Sequence, residues 1–157
     1  MLCKNPAVQE KVAKEVREAT EGKQITNFAE FAASVDEEAL EKMNYLHAAI
    51  TETLDSIQLC PWMKFIWGDD AEEYKPERWL NEDGMFRQRS PFKFTAFQAG
   101  PRLCLGKEFA YRQMKIFSAV LIGCFVFKLR DEKKTVNYRT MINLRIDGGL
   151  HVCALHR

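Results

Sequence analysis

The sequence has no apolar stretch long enough to cross a bilayer: its longest apolar run, Phe117 to Phe127, stops at Lys115 and Lys128 on either side. Its first residues, Met1-Leu2-Cys3-Lys4-Asn5-Pro6, lack the apolar region of a signal peptide. An excess of charge of either sign is missing too. The net charge is +1, which gives no reason to expect nucleic-acid binding. The three histidines, His47, His151 and His156, show no metal-ligand spacing, which leaves a zinc or structural metal module with little support. The five cysteines, Cys3, Cys60, Cys104, Cys124 and Cys153, include no C-x-x-C pair, and their odd number argues against a disulfide framework. Cys124 and Cys153 fall in apolar-rich segments and are expected as small core residues. What is present is ordinary globular material. There are 157 residues, 46% hydrophobic and 29% charged, enough for one domain with its own core.

Helical periodicity dominates the first third. Asn5 reads as an N-cap with Pro6 as the first helical residue, and Val8, Val12 and Val16 make one buried stripe. Gly22 is expected to end that helix. Asn27 with Glu30 reads as a capping box for a short second helix. Ser34 with Glu37 reads as a stronger box, opening one helix through Leu40, Met43, Leu46, Ile50 and Leu54. From Asp69 the chain is polar and rich in turns: Gly68-Asp69-Asp70, Pro76, Asn81-Glu82-Asp83-Gly84 and Ser90-Pro91. A long helix begins near residue 107, with Ala110, Met114, Phe117, Leu121 and Cys124 on one face. The end is β-rich. Phe125 to Leu129 reads as a strand. Met141, Asn143 and Arg145 alternate with Ile142, Leu144 and Ile146, and Asp147-Gly148-Gly149 turns the chain into a return strand through Leu150, Val152 and Ala154.

Chemistry concentrates in Phe97-Gln98-Ala99-Gly100-Pro101-Arg102-Leu103-Cys104-Leu105-Gly106. A cysteine there sits in a loop that runs into a helix N-terminus, a setting that suits an anionic sulfur. Backbone N–H groups aimed at that sulfur would limit the charge it donates to a metal. A lone cysteine is most often a buried structural residue; four further fixed positions set this one apart. The stretch fills F-x-x-G-x-R-x-C-x-G at Phe97, Gly100, Arg102, Cys104 and Gly106, and so resembles the haem-binding loop of the cytochrome P450 family. The resemblance implies that Cys104 is the axial thiolate ligand of haem b (iron-protoporphyrin IX). It implies that Arg102 pairs with a haem propionate, that Phe97 packs beside the sulfur, and that Gly100 and Gly106 let the backbone approach the macrocycle.

The same resemblance covers most of the chain. It implies a mainly α fold with a small β part, the C-terminal portion of the P450 fold, incomplete: helices over 5–54, a junction over 55–62, a meander and haem-binding loop over 63–106, and a long helix with a C-terminal β-hairpin over 107–157. The family's E-x-x-R pair falls at Glu52-Thr53-Leu54-Asp55, with aspartate where arginine belongs, while its P-E-R-x segment is intact at Pro76-Glu77-Arg78-Trp79. Glu52 and Arg78 are therefore the remaining members of a structural ion network, and Asp55 places a second carboxylate beside one guanidinium. Only Asp55 to Trp62 then separate this helix from Met63-Lys64-Phe65-Ile66-Trp67-Gly68, where the likeness resumes. Leu59-Cys60-Pro61 faintly echoes the family's wording just after that arginine. This reads as a junction near Leu54/Asp55, as a skipped exon or an incorrect gene model leaves.

The likeness extends to about the C-terminal third of a complete family member. No distal helix, and so no catalytic acid or alcohol, is recognisable; nor is a membrane anchor, although the full-length family resides on the endoplasmic reticulum membrane. Lys107, Arg112 and Lys115 read as a solvated face, with docking of NADPH–cytochrome P450 reductase as the family's use of that side. Wording such as Phe92-Lys93-Phe94-Thr95-Ala96-Phe97 and Phe109-Ala110-Tyr111-Arg112-Gln113-Met114-Lys115 is similar to plant fatty-acid omega-hydroxylases, which implies a fatty-acid-like substrate. Two readings remain: a haem-dependent monooxygenase by lineage, and a truncated non-catalytic fragment that binds haem weakly or not at all.

Overall fold

The computed structural model describes residues 1–21, 28–57, 64–133, 136–140 and 144–157. Three helices build the core: α1 (Pro6–Ala19), α4 (Asn44–Ser56) and α6 (Lys107–Cys124). The valine stripe of α1 is where the spacing puts it, with Val12 and Val16 fully buried, Val8 half-buried, and Ala13 beside them. Against it lie Leu46 and Ala49 from α4 and Ala119, Ile122 and Cys124 from α6. Two short helices, α2 (Phe28–Ser34) and α3 (Glu37–Lys42), close one side. Phe31 of α2 packs on α6 at Gly123, where an added Cβ would lie 2.4 Å from the ring.

The helix expected over 34–54 is two helices. Its cap is Asp36, whose carboxylate accepts from Ala39 N at 2.9 Å; Ser34 ends α2 and donates to Phe31 O instead. Met43 breaks the run at φ −83°, ψ 72°. The break has a tertiary cause. Glu15 reaches across from α1, and its carboxylate accepts from Tyr45 N and Leu46 N, both at 2.7 Å. An anion thus satisfies the first N–H groups of α4 and complements its dipole. At the end of α1, Glu21 takes the left-handed conformation (φ 57°). Gly22 and Asn27 lie outside the described residues, as do Leu59, Cys60, Pro61, Met63, Met141, Ile142 and Asn143.

Beyond α4 come one helical turn, α5 (Lys64–Trp67), and an irregular stretch with a 3₁₀ turn at Pro76–Trp79 and a bridge between Leu80 and Phe86. The scarcity of regular structure before Phe92 is as the turn residues predict. On α6 the expected apolar face is only part of the buried one. Cys124 is buried and Met114 half-buried, but Phe117 is 63% exposed and Leu121 42%. Tyr111, Ala119, Val120 and Ile122 go inward instead. Spacing locates apolar residues; α6 has them on two sides, and α1 and α4 cover one.

The strands also differ from expectation. β1 (Phe125–Leu129) pairs antiparallel with β4 (Val152–His156), in the register Phe125 opposite His156 through Leu129 opposite Val152. β2 (Tyr138–Thr140) pairs with β3 (Leu144–Ile146). The return strand after Gly148 and Gly149, both at positive φ, therefore joins β1 rather than β3. Gln9 holds the neighbouring stretch of β1 in place, its amide accepting from Phe127 N at 2.7 Å and donating to Phe127 O at 3.0 Å. β4 is exposed along its whole length, so Cys153 is a surface residue and not a core one. The basic residues of α6 are also not a free solvated face. Arg112 pairs with Glu37, and the half-buried Lys115 donates to Leu40 O near the end of α3.

Candidate functional site

The loop before α6 is held by its own backbone. Cys104 N donates to Phe97 O at 2.8 Å, Leu103 N to Gly100 O at 3.1 Å, and Lys107 N to Cys104 O at 3.3 Å. A 3₁₀ turn spans Gly100–Arg102. Gly100 sits at φ +67°, a conformation that accounts for glycine there. Gln98 adopts φ 67° without being glycine, a strained position that the sequence did not mark. Gly106 is the N-cap of α6, and an added Cβ there would lie 3.9 Å from Cys104 Sγ.

Phe97 turns inward, its ring 5.2 Å from Tyr111 and 6.2 Å from Phe94. Cys104 is exposed, and Phe97 is half-buried. No N–H donates to Cys104 Sγ among the described residues. Leu103, Leu105 and Phe109, close to it in sequence, are exposed, Leu105 entirely. Arg102 is exposed and makes no ion pair among the described residues. An accessible sulfur, exposed apolar side chains close to it in sequence and one uncommitted guanidinium fit a flat apolar macrocycle that carries carboxylates. Among the described residues no three His, Cys, Asp or Glu side chains cluster as a metal site.

The second constellation lies behind the loop. Glu52 is 4% exposed and well paired: its carboxylate accepts from Arg78 Nε (3.0 Å), Lys75 N (2.8 Å) and Trp79 Nε1 (2.7 Å). The Arg78 guanidinium also donates to Asp70 Oδ1 (3.3 Å), Asp70 O (2.9 Å) and Glu73 O (3.1 Å). The second carboxylate bonded to Arg78 is thus Asp70. Asp55 is buried nearby without a side-chain hydrogen bond among the described residues, and its carboxyl is pushed up to about 6 by burial first and by Glu52 second, against the pull of Arg78. Sequence reasoning placed Glu52, Asp55 and Arg78 together. It missed Trp79, whose indole N–H was a signal, and Asp70, whose polar turn gave none. From Trp79 an aromatic succession runs through Phe94 (5.2 Å) to Phe97.

The family pattern described as "Cytochrome P450" matches residues 1–63 and 56–153. The chain is 43% identical to "Cytochrome P450 704C1" of Pinus taeda over 191 positions, which cover 97% of this chain and 36% of that protein. It is 40% identical to "Cytochrome P450 704B1" of Arabidopsis thaliana over 82% of this chain and 30% of that one. With "Cytochrome P450 86B1" of the same plant it shares 32% over 192 positions, 100% of this chain and 34% of the relative. The chain thus spans about a third of the length of the curated relatives it matches. An alignment of 191 positions exceeds the 157 residues here, so at least 34 of them have no counterpart in this chain.

Proposed function

The chain belongs to the cytochrome P450 family, and on that premise we propose that it carries the proximal half of a haem-thiolate site, with Cys104 as the axial ligand. The observation that carries this reading is the exposed Cys104, fixed through its N–H to Phe97 O inside a complete F-x-x-G-x-R-x-C-x-G loop. Haem b, when bound, would supply the oxygen-activating iron chemistry, and an anionic sulfur pushes electron density toward that iron. The chain's own residues position and shield. Leu103, Leu105 and Phe109 would lie against the macrocycle and keep water from the sulfur. Arg102 would donate to a propionate in a charge-assisted bond. Phe97 and Gly100 fix where the sulfur stands. In the complete parent the activity is insertion of one oxygen atom from O2 into a C–H bond, with electrons from NADPH through cytochrome P450 reductase, on the endoplasmic reticulum membrane. The substrate we propose is a long-chain fatty acid, from the wording of the loop and of α6. Among the described residues no helix is long and apolar enough to cross a membrane.

The test is spectroscopic. Haem added to the purified chain, reduced and exposed to CO, is expected to show the red-shifted Soret band of thiolate ligation. Cys104→Ser is expected to remove it, because a neutral hydroxyl cannot give that push. A band that survives the substitution would show that another residue holds the iron.

A second reading, a non-catalytic fragment, is favoured by a separate observation. The family pattern matches in two blocks that meet at 56–63, and relatives carry at least 34 positions that are missing here. We propose that an internal segment is lost near Leu54/Asp55. A transcript that encodes an arginine and further residues at this point would support it; an uninterrupted one would count against it.

A further inference from the structure

Between α4, α6 and the stretch 86–94 lies a cavity of about 120 Å³, bounded by His47, Thr51, Phe86, Arg89, Lys107 and Tyr111. It has room for one small ion and is well under the size of a cofactor site. Its charges do not balance. Arg89 spends Nη2 on Arg78 O at 2.8 Å, while its Nε is buried with no acceptor among the described residues. The Lys107 side chain is only 19% exposed, and its one ion-pair partner among the described residues is Glu108 on the rim, 4.0 Å away and 87% exposed. Thr51 spends its one hydrogen on His47 O at 2.8 Å, so the 3.0 Å contact to Tyr111 is donated by the phenol. His47 is stacked on Phe86 at 3.8 Å and is held neutral, its ring pushed down to about 4 by burial and by Lys115 and Lys107. Among the described residues no buried acid in the cavity answers Arg89 and Lys107. An unmade bond to a buried cationic donor is costly.

We propose that this cavity binds one small oxyanion of the phosphate class, held by Arg89 Nε and Lys107 Nζ. Nothing in it depends on the sulfur of Cys104 or on haem. The anion would bind the first turn of α6 to the 86–94 stretch and so brace the loop that ends at Gly106. The probe is inorganic phosphate, followed by equilibrium dialysis of the full chain at ionic strength held constant with sodium chloride. Saturable binding of about one phosphate per chain is expected, weakened about tenfold or more in Lys107→Gln, since charge-assisted bonds exceed about 1.4 kcal/mol. The Lys107 side chain has only the long 4.0 Å pairing with exposed Glu108 among the described residues, so that variant is expected to keep the fold, read as an unchanged far-ultraviolet spectrum. Arg89→Gln is expected to weaken binding as well. Arg112→Gln, whose partner is Glu37 outside the cavity, is expected to bind as the parent does. Absence of saturable binding overturns the proposal, as does binding that Lys107→Gln leaves intact or that Arg112→Gln weakens equally.

Discussion

Asp55 is where one residue changes the energetics of its surroundings. Its carboxyl titrates near 6 in the fold, against 3.8 for an ordinary aspartate. Between those values the folded protein holds a proton that the unfolded chain has released. Stability therefore falls as pH rises from about 4 to about 6, and the loss persists above that range. For a group this buried the gap amounts to at most about 3 kcal/mol. Asp55→Asn is expected to unfold at higher urea than the parent at pH 7 and at nearly the same urea at pH 4; an advantage of equal size at both pH values would refute the assignment. Asp55→Arg is expected to gain about 1–3 kcal/mol at pH 7, because it offers Glu52 a second cation. Glu52→Gln goes the other way. Three donors converge on that carboxylate, and an amide would turn its NH2 against one of them, a loss of about 2 kcal/mol. The meeting of Glu52, Asp55 and Arg78 was legible because a P-E-R-x segment and a glutamate on a helix carry the pattern. Asp70 was not, because no periodicity places a turn residue next to a guanidinium.

Among the elements, the valine stripe of α1 was plain in the sequence because one helix with one apolar stripe has one way to bury it. The break at Met43 was hidden, since its cause is Glu15, twenty-eight residues away on α1. The C-terminal strands show the same limit: alternation marks β-strands but not their partners, and β4 went to β1. Glu15 gives this scale its prediction. Burial raises its carboxyl, and the two N–H bonds from α4 offset part of that rise. Glu15→Ala is expected to cost about 1–2 kcal/mol, read as an earlier thermal midpoint, since it strips a cap and leaves Tyr45 N and Leu46 N unpaired. Glu15→Gln retains one acceptor oxygen and is expected to fall between the two. A variant that melts with the parent would mean that α4 needs no anion to begin where it does.

For the molecule as a whole, the residues turned outward matter as much as the core. Phe65, Phe92, Leu105, Phe109 and Phe117 are all exposed, each by more than 60%. The sequence made these residues visible as apolar but not as uncovered, because burial depends on what else is present to pack against. The relatives it matches are about three times as long. The purified chain, given haem, reductase, NADPH and a long-chain fatty acid, is therefore expected to form no detectable hydroxy acid. NADPH-dependent product that disappears in Cys104→Ser would reverse that conclusion and favour a working enzyme.

The placement of Trp79 makes it an optical probe. Its indole is 1% exposed, donates to Glu52, and belongs to the aromatic succession that passes through Phe94 to Phe97. Its emission should be blue-shifted while that bond and the packing around it persist. It should move to the red when water reaches the ring. With Trp62 and Trp67 replaced by Phe, so that Trp79 alone emits, a shift at denaturant concentrations that leave far-ultraviolet ellipticity intact would reveal the Glu52 cluster opening before the helices melt. The loop around Cys104 would then lose its inner support while the secondary structure still read as native.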